Sequence, residues 1–226
     1  MTFSIAARCP DTGLMGVAVT SSSICVASRC AFARAGVGAA LSQNITDPQL
    51  GTELLALCSR GLSAPQALEQ LCSETKDINW RQLALVDVKG ETAFYSGDQV
   101  LGIHAAASSE GCVSVGNLLA NTDVPQAVID GFTNAKGHFA DRLIAGLEAG
   151  LAAGGEAGPI HSAGIKVVDR LSWPVVDLRV DWENAENEAI ARLRQVWHEY
   201  EPQLQAYVIR ALDPANSESY GVPGDE

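Results

Sequence analysis

The chain predicts an α+β domain of layered sheets with helices outside. Short apolar runs bounded by turn residues come in groups, and these groups alternate with pairs of amphipathic helical patterns. No linker or shift in composition interrupts the series of 226 residues. The expected order is strands, two helices, strands, two helices, strands, helix. That order gives one domain over 1–216 and a loose polar tail over 217–226.

Phe3, Ile5 and Ala7 alternate with Thr2, Ser4 and Ala6, the period of a half-buried strand. Pro10, Asp11, Thr12 and Gly13 then form a turn, and the apolar run 14–20 pairs back as the second arm of a hairpin. Ser21, Ser22 and Ser23 leave that arm. A third strand is expected over 35–42, where Gly36 and Gly38 mark a bulge or a close approach of backbone. Asp47 followed by Pro48 opens a helix that Gly61 ends, and Ser63 with Gln66 caps a second helix antiparallel to it.

Residues 81–88 and 91–95 alternate around Lys89-Gly90 as another hairpin, and 111–116 reads as one further strand. A helical block covers about 123–153 with a break near Lys136-Gly137. A Gly-rich loop and strands over 161–168 and 175–180 follow it. The last helix starts near Asn184. Ile190, Leu193, Trp197, Tyr200 and Leu204 fall on one seam, and Pro202 kinks or restarts the helix. The seam suits either the protein's own sheet or a second copy.

Composition narrows the function classes. A net charge of −12 disfavours nucleic acid and anionic membranes as partners. No apolar run approaches the length of a membrane span. The six cysteines make no C-x-x-C pair, and no His stands at metal-ligand spacing, so neither a metal nor another cofactor is expected. No secretory pattern precedes the first strand, so the expected location is cytoplasmic, with reduced thiols.

Thr2 is the candidate nucleophile. Freed of Met1, it carries a hydroxyl and an α-amine on one residue, and the amine can act as base for the hydroxyl. Otherwise Thr2 is a β-branched residue opening a strand. Ser4 shares its face and either orients that hydroxyl or bonds backbone. Arg34 clamps a carboxylate or makes a surface ion pair, and Asn117 donates to an oxyanion or shapes a turn. Ser21 and Ser22 bind substrate at the hairpin's open end or cap a turn. His161 is a general base or a structural residue, and Arg179 with Asp181 binds substrate or forms an ion pair.

Local sequence adds a resemblance. Thr2-Phe-Ser-Ile5, Gly16-Val-Ala-Val19, Ala33-Arg-Ala-Gly-Val-Gly38 and Gln43 resemble the opening of a bacterial and archaeal family, domain of unknown function 1028. Asp47-Pro48 with Gly51, Gly61-Leu62-Ser63, Arg81-Gln82, Gly116-Asn117 and Asp177-Leu-Arg-Val-Asp181 continue it in order, to about residue 200. A strand headed by Thr in this order of elements also resembles the N-terminal-nucleophile hydrolases. That likeness implies a four-layer αββα sandwich and, by analogy, amide-bond hydrolysis. It places Arg34 where such enzymes often carry a lysine that lowers the amine's pKa. Arginine keeps the field but not the proton transfer. The resemblance also brings Gln43 and Ser162 into the substrate-binding set.

Two stretches depart from the family pattern. The loop from Gly154 to Ala163 keeps an acid, Glu156, and Ser162-Ala163, but lacks basic residues. Trp182 and Glu183 follow Asp181 in place of an acid and a His. The expected activity is therefore hydrolysis of an amide bond in a small substrate by Thr2. The alternative is a ligand-binding or assembly protein that keeps the fold. A homo-oligomer, a dimer first, is expected in both cases.

Overall fold

The first strand is buried on both faces rather than one, because it lies at the centre of the molecule. In the computed structural model, which describes residues 1–224, β1 (Thr2–Arg8) pairs antiparallel with β2 (Met15–Ser21) through the expected hairpin. Residues 225–226 of the expected tail lie outside the described residues.

A one-turn helix α1 (Ala27–Cys30) leads into β3 (Ala31–Arg34) and β4 (Gly38–Asn44). The single strand expected over 35–42 is thus a hairpin. Gly36, at φ +69°, supplies the left-handed residue of its turn, and the Val37 N–H closes on the Arg34 carbonyl at 3.1 Å. Gly38 is a close approach: a Cβ there would lie 2.5 Å from the Val86 carbonyl oxygen.

Helices α2 (Pro48–Ser59) and α3 (Ala64–Glu74) follow, with Asp47 capping the first and a Ser63/Gln66 capping box opening the second. Next come β5 (Arg81–Asp87), β6 (Thr92–Ser96), β7 (Ala105–Ser109) and β8 (Cys112–Asn117). The unexpected β7 has no β-branched residue and owes its conformation to pairing with β8. The helical block divides into α4 (Val124–Asn134) and α5 (Phe139–Ala152), with His138 as the cap of α5. The chain then forms β9 (Ser162–Val168), β10 (Val176–Val180), α6 (Ala189–Tyr200) and, after a turn at Pro202, α7 (Leu204–Leu212).

Among the described residues the strands form two antiparallel sheets, ordered β10-β9-β2-β1-β8-β7 and β3-β4-β5-β6. Three apolar layers separate four layers of structure. Phe3 and Ile5 face Val128, Leu143, Ile144 and Leu147 of the helices over the larger sheet. Ala6, Val17, Val19 and Val115 meet Leu41, Ala84 and Val86 between the sheets. Leu83 and Leu85 meet Leu50, Leu54 and Leu71 under α2 and α3. The architecture is therefore an αββα sandwich. Each large side chain withdrawn into these layers contributes about 1.5–3 kcal/mol, which makes the doubly covered β1 a firmly anchored strand for carrying a site.

The C-terminal seam packs on the protein's own core on both sides of Pro202, with Tyr200, Leu204 and Val208 partly buried against it. Ile190, Leu193 and Trp197 of α6 are buried against the protein's own larger sheet. Arg194 fixes that helix to α5 through Asp141 at 3.0 Å and Glu148 at 2.8 Å. Helix α7 buries only Ala206 and leaves Tyr207, Ile209 and Leu212 in solvent.

Candidate functional site

The head of β1 collects several polar groups. Thr2 stands opposite Ser21 on one side and Asn117 on the other, and is 7% exposed. Its hydroxyl donates to the carbonyl oxygen of Met1, and the Ser21 hydroxyl donates to the same oxygen. The two hydroxyl oxygens are 3.2 Å apart, and the Ser23 N–H holds Ser21 from behind at 3.0 Å. The carbonyl preceding Thr2 thus sits between two hydroxyl donors at the end of a buried strand.

Glu156 closes one side of this group. Its loop is pinned where the Ala157 N–H meets the Leu118 carbonyl at 2.9 Å and the Ala120 N–H meets the Gly155 carbonyl at 3.0 Å. Leu118 itself holds φ +52°, a strained conformation for a Leu. Glu156 is buried. Its Oε2 accepts the Ser22 N–H at 3.0 Å, while Oε1 has no hydrogen-bond partner among the described residues. Burial pushes its carboxyl up to about 8, against the opposing pull of the ammonium at Met1 and of the Ser22 hydrogen bonds.

Beneath Thr2 a buried polar network joins the two sheets. Ser4 donates to Gln43 Oε1 at 2.7 Å, and Gln43 Nε2 donates to Gln82 Oε1 at 2.8 Å. Gln82 Nε2 bonds the Gly116 carbonyl at 2.9 Å and Ser96 at 3.1 Å, and Asn117 Nδ2 donates to Gln82 Oε1 at 3.0 Å. That last bond uses one of the two N–H groups of the Asn117 amide. Ser4 and Gln43 therefore support the site from below.

His161 borders the group through its backbone, donating to the Ser21 carbonyl at 3.0 Å. Its Nδ1 lies 2.7 Å from the Glu183 carbonyl, which can only accept, so Nδ1 carries the hydrogen. The ring stacks on Trp182 with centroids 4.5 Å apart. Ser162 is spent on structure, donating to the Ser23 carbonyl and accepting the Val26 N–H at 3.3 Å. Arg179 and Asp181 form an exposed ion pair at 2.8 Å on the edge strand β10.

Arg34 is not brought to Thr2. The turn at 35–37 leaves it opposite Gly38, at the far end of the ladder from Gln43. The five steps from Gly38 to Gln43 span about 17 Å at the rise of a strand. Arg34 lines a separate cleft with Phe32, Thr52 and Lys166. The expected cation beside the nucleophile is thus displaced by a chain reversal that the strand assignment over 35–42 did not contain. Conversely, the structure adds Glu156 and Gln82 to the site. The available signals were an acid directly after Gly154-Gly155 and the Arg81-Gln82 pair.

Among the described residues no group of three or more His, Cys, Asp or Glu is placed to hold a metal ion. No described helix is long and apolar enough to cross a membrane.

Comparison with known proteins gives a consistent placement. No curated protein matches the chain. The crystal structure of a Silicibacter pomeroyi protein assigned to DUF1028 superimposes with a TM-score of 0.82 at 28% identity, over 88% of each chain. Anbu, an ancestral β-subunit from Yersinia bercovieri, is similar at a TM-score of 0.39 and 11% identity, over 90% of this chain and 96% of that one. That likeness is too distant to bear on function. The pattern of a family of unknown function, DUF1028, matches residues 2–193. The chain belongs to the domain of unknown function 1028 family.

Proposed function

We propose that the protein is an N-terminal-nucleophile hydrolase that cleaves an amide bond in a small substrate, with Thr2 as nucleophile once the peptide bond before it is broken. One observation carries this reading: the carbonyl before Thr2 is held by the hydroxyls of Thr2 and Ser21. After that bond is cut, the same donors face a vacated carbonyl position.

In the proposed reaction, Thr2 Oγ1 attacks the substrate's amide carbon and its proton passes to the Thr2 α-amine. Ser21 and the second N–H of Asn117 receive the oxyanion. The C–N bond then breaks, and the leaving amine takes the proton from the α-ammonium. Water, deprotonated by the same α-amine, hydrolyses the ester left on Thr2. Arg34 is too far away to lower the amine's pKa, and the buried carboxyl of Glu156, which already feels the ammonium at Met1, steadies the α-ammonium when it forms.

A test combines intact mass and N-terminal sequencing of untagged protein with turnover of a panel of small amides. The expected result is a chain beginning at Thr2, with hydrolysis that Thr2→Ala abolishes and Thr2→Ser retains in part. Uniform retention of Met1 sinks the mechanism, and so does undiminished turnover by Thr2→Ala.

The exposed apolar side chains of α7 also support a homodimer in the cytoplasm, where thiols such as Cys25, Cys58 and Cys72 stay reduced. If no amide is turned over, a ligand-binding or assembly protein of the same fold is the remaining reading.

A further inference from the structure

The opposite end of β1 carries a second feature that the proposed reaction does not use. Arg8, Lys89 and Arg142 line one cleft of about 340 Å³ between the turn at Lys89-Gly90 and the turn at Glu110-Gly111. The turns lie in van der Waals reach of each other: a Cβ at Gly90 would lie 3.6 Å from the Gly111 Cα and 3.9 Å from Arg8 Cδ. The Arg8 N–H holds the Gly111 carbonyl at 2.8 Å, which fixes the second turn to the strand. Arg142 is braced over the Phe132 ring, its guanidinium carbon 4.5 Å from the centroid, and its Nε donates to the Phe132 carbonyl at 3.4 Å.

Among the described residues none of these three cations has a carboxylate within 4.0 Å. Three such cations lining one cleft are a local positive excess in a chain with 15 basic residues against 27 acidic ones. Glu110 is the one carboxylate in the lining, so two positive charges in the cleft are left unbalanced. A phosphate monoester carries about −1.5 to −2 at neutral pH, and two arginines supply the forked donors that phosphate oxygens accept.

We propose that this cleft is a binding site for the phosphate group of a small molecule, separate from the site at Thr2. Arg8 and Arg142 grip the phosphate oxygens and Lys89 closes the rim as a point charge. The six steps of β1 from Thr2 to Arg8 span about 20 Å, so the site neither needs nor tests the hydrolytic reading.

The experiment is calorimetric titration of the full chain with inorganic phosphate and with phenyl phosphate, against sodium acetate at matched ionic strength. Saturable phosphate binding is expected, weakened roughly tenfold or more in Lys89→Glu and in Arg8→Gln. Lys89 is exposed, so its variant folds, and a thermal melt checks both proteins. Tighter binding of phenyl phosphate identifies an ester as the ligand, and equal binding identifies phosphate itself. Absence of saturation, equal affinity in Lys89→Glu, or the same response to acetate overturns the proposal.

Discussion

Ser4 donates its hydroxyl to the side-chain oxygen of Gln43 at 2.7 Å, and that bond couples the strand carrying Thr2 to the opposite sheet. The coupling continues through Gln82 to Asn117, so the strand of the proposed nucleophile and one of the proposed oxyanion donors are positioned by one buried network. Such a network rigidifies only while every member is satisfied.

Gln82→Leu should therefore be costly. It removes the acceptor of Gln43 and Asn117 and the donor to the Gly116 carbonyl, leaving buried polar groups at roughly 1–3 kcal/mol each. A loss of about 2–4 kcal/mol in urea unfolding is expected. Adding Gln43→Leu should cost less than the sum of the two single changes, because the orphaned amide is removed with it. Additive losses would count against the network.

Glu156 predicts a pH slope. Its folded carboxyl titrates at about 8, above the ordinary 4.5, so the unfolded chain releases this proton first. Its stabilising contribution is complete below about 4.5 and is lost as pH rises towards about 8. Melting temperatures of wild type and Glu156→Gln at several pH values across that window check this. The wild type should lose ground relative to the variant as pH rises, and parallel curves would refute the assignment.

How far these features were visible in the sequence depends on what each required. The Thr2–Ser4 face follows from strict alternation along one strand, and Asn117 from a Gly-Asn step at a strand end. Arg34 was misplaced because Ala35, Gly36 and Val37 read equally as strand or turn, and only the left-handed φ of Gly36 decides. The Ala-rich β7 carries no strand propensity of its own and is made by its partner. Glu156 is buried by a bridge to Leu119, 37 positions earlier, and no local pattern encodes a contact at that range. The α+β layering was thus readable from periodicity, whereas the site needed long-range pairing.

His138 predicts a slope of the opposite sign. It caps α5 by accepting the Ala140 N–H on Nδ1 at 3.1 Å, and its ring stacks on Trp197 with centroids 4.9 Å apart. Burial lowers its pKa below 6.5, and Glu201 and Asp141 only partly oppose this. A depressed folded pKa means stability that is present above about 6.5 and lost as pH falls below it, since protonation also removes the cap. His138→Asn keeps a capping oxygen without titrating there. Between about pH 7 and 5 the wild type should lose more stability than this variant by urea unfolding. An equal loss in both would remove His138 as the cause.

The exposed side chains of α7 predict the assembly state. Leu193, Trp197, Leu204 and Val208 satisfy the seam inside the protomer, so an association through this region must use the other side chains of α7. There Tyr207, Ile209 and Leu212 are 39%, 37% and 59% exposed on one short helix, and Tyr220 stacks near it over Arg210 at 3.8 Å. Helix α7 is nine residues long and spans about 14 Å, so a stable dimer burying about 800 Å² per partner must also cover its surroundings. Light scattering on the untagged protein should give twice the chain mass of 23.7 kDa. Leu212→Glu should return it to one chain mass, because it places a charge in the interface without touching the core. A wild-type protein that runs at one chain mass at tens of micromolar would show that this face is not a dimer contact.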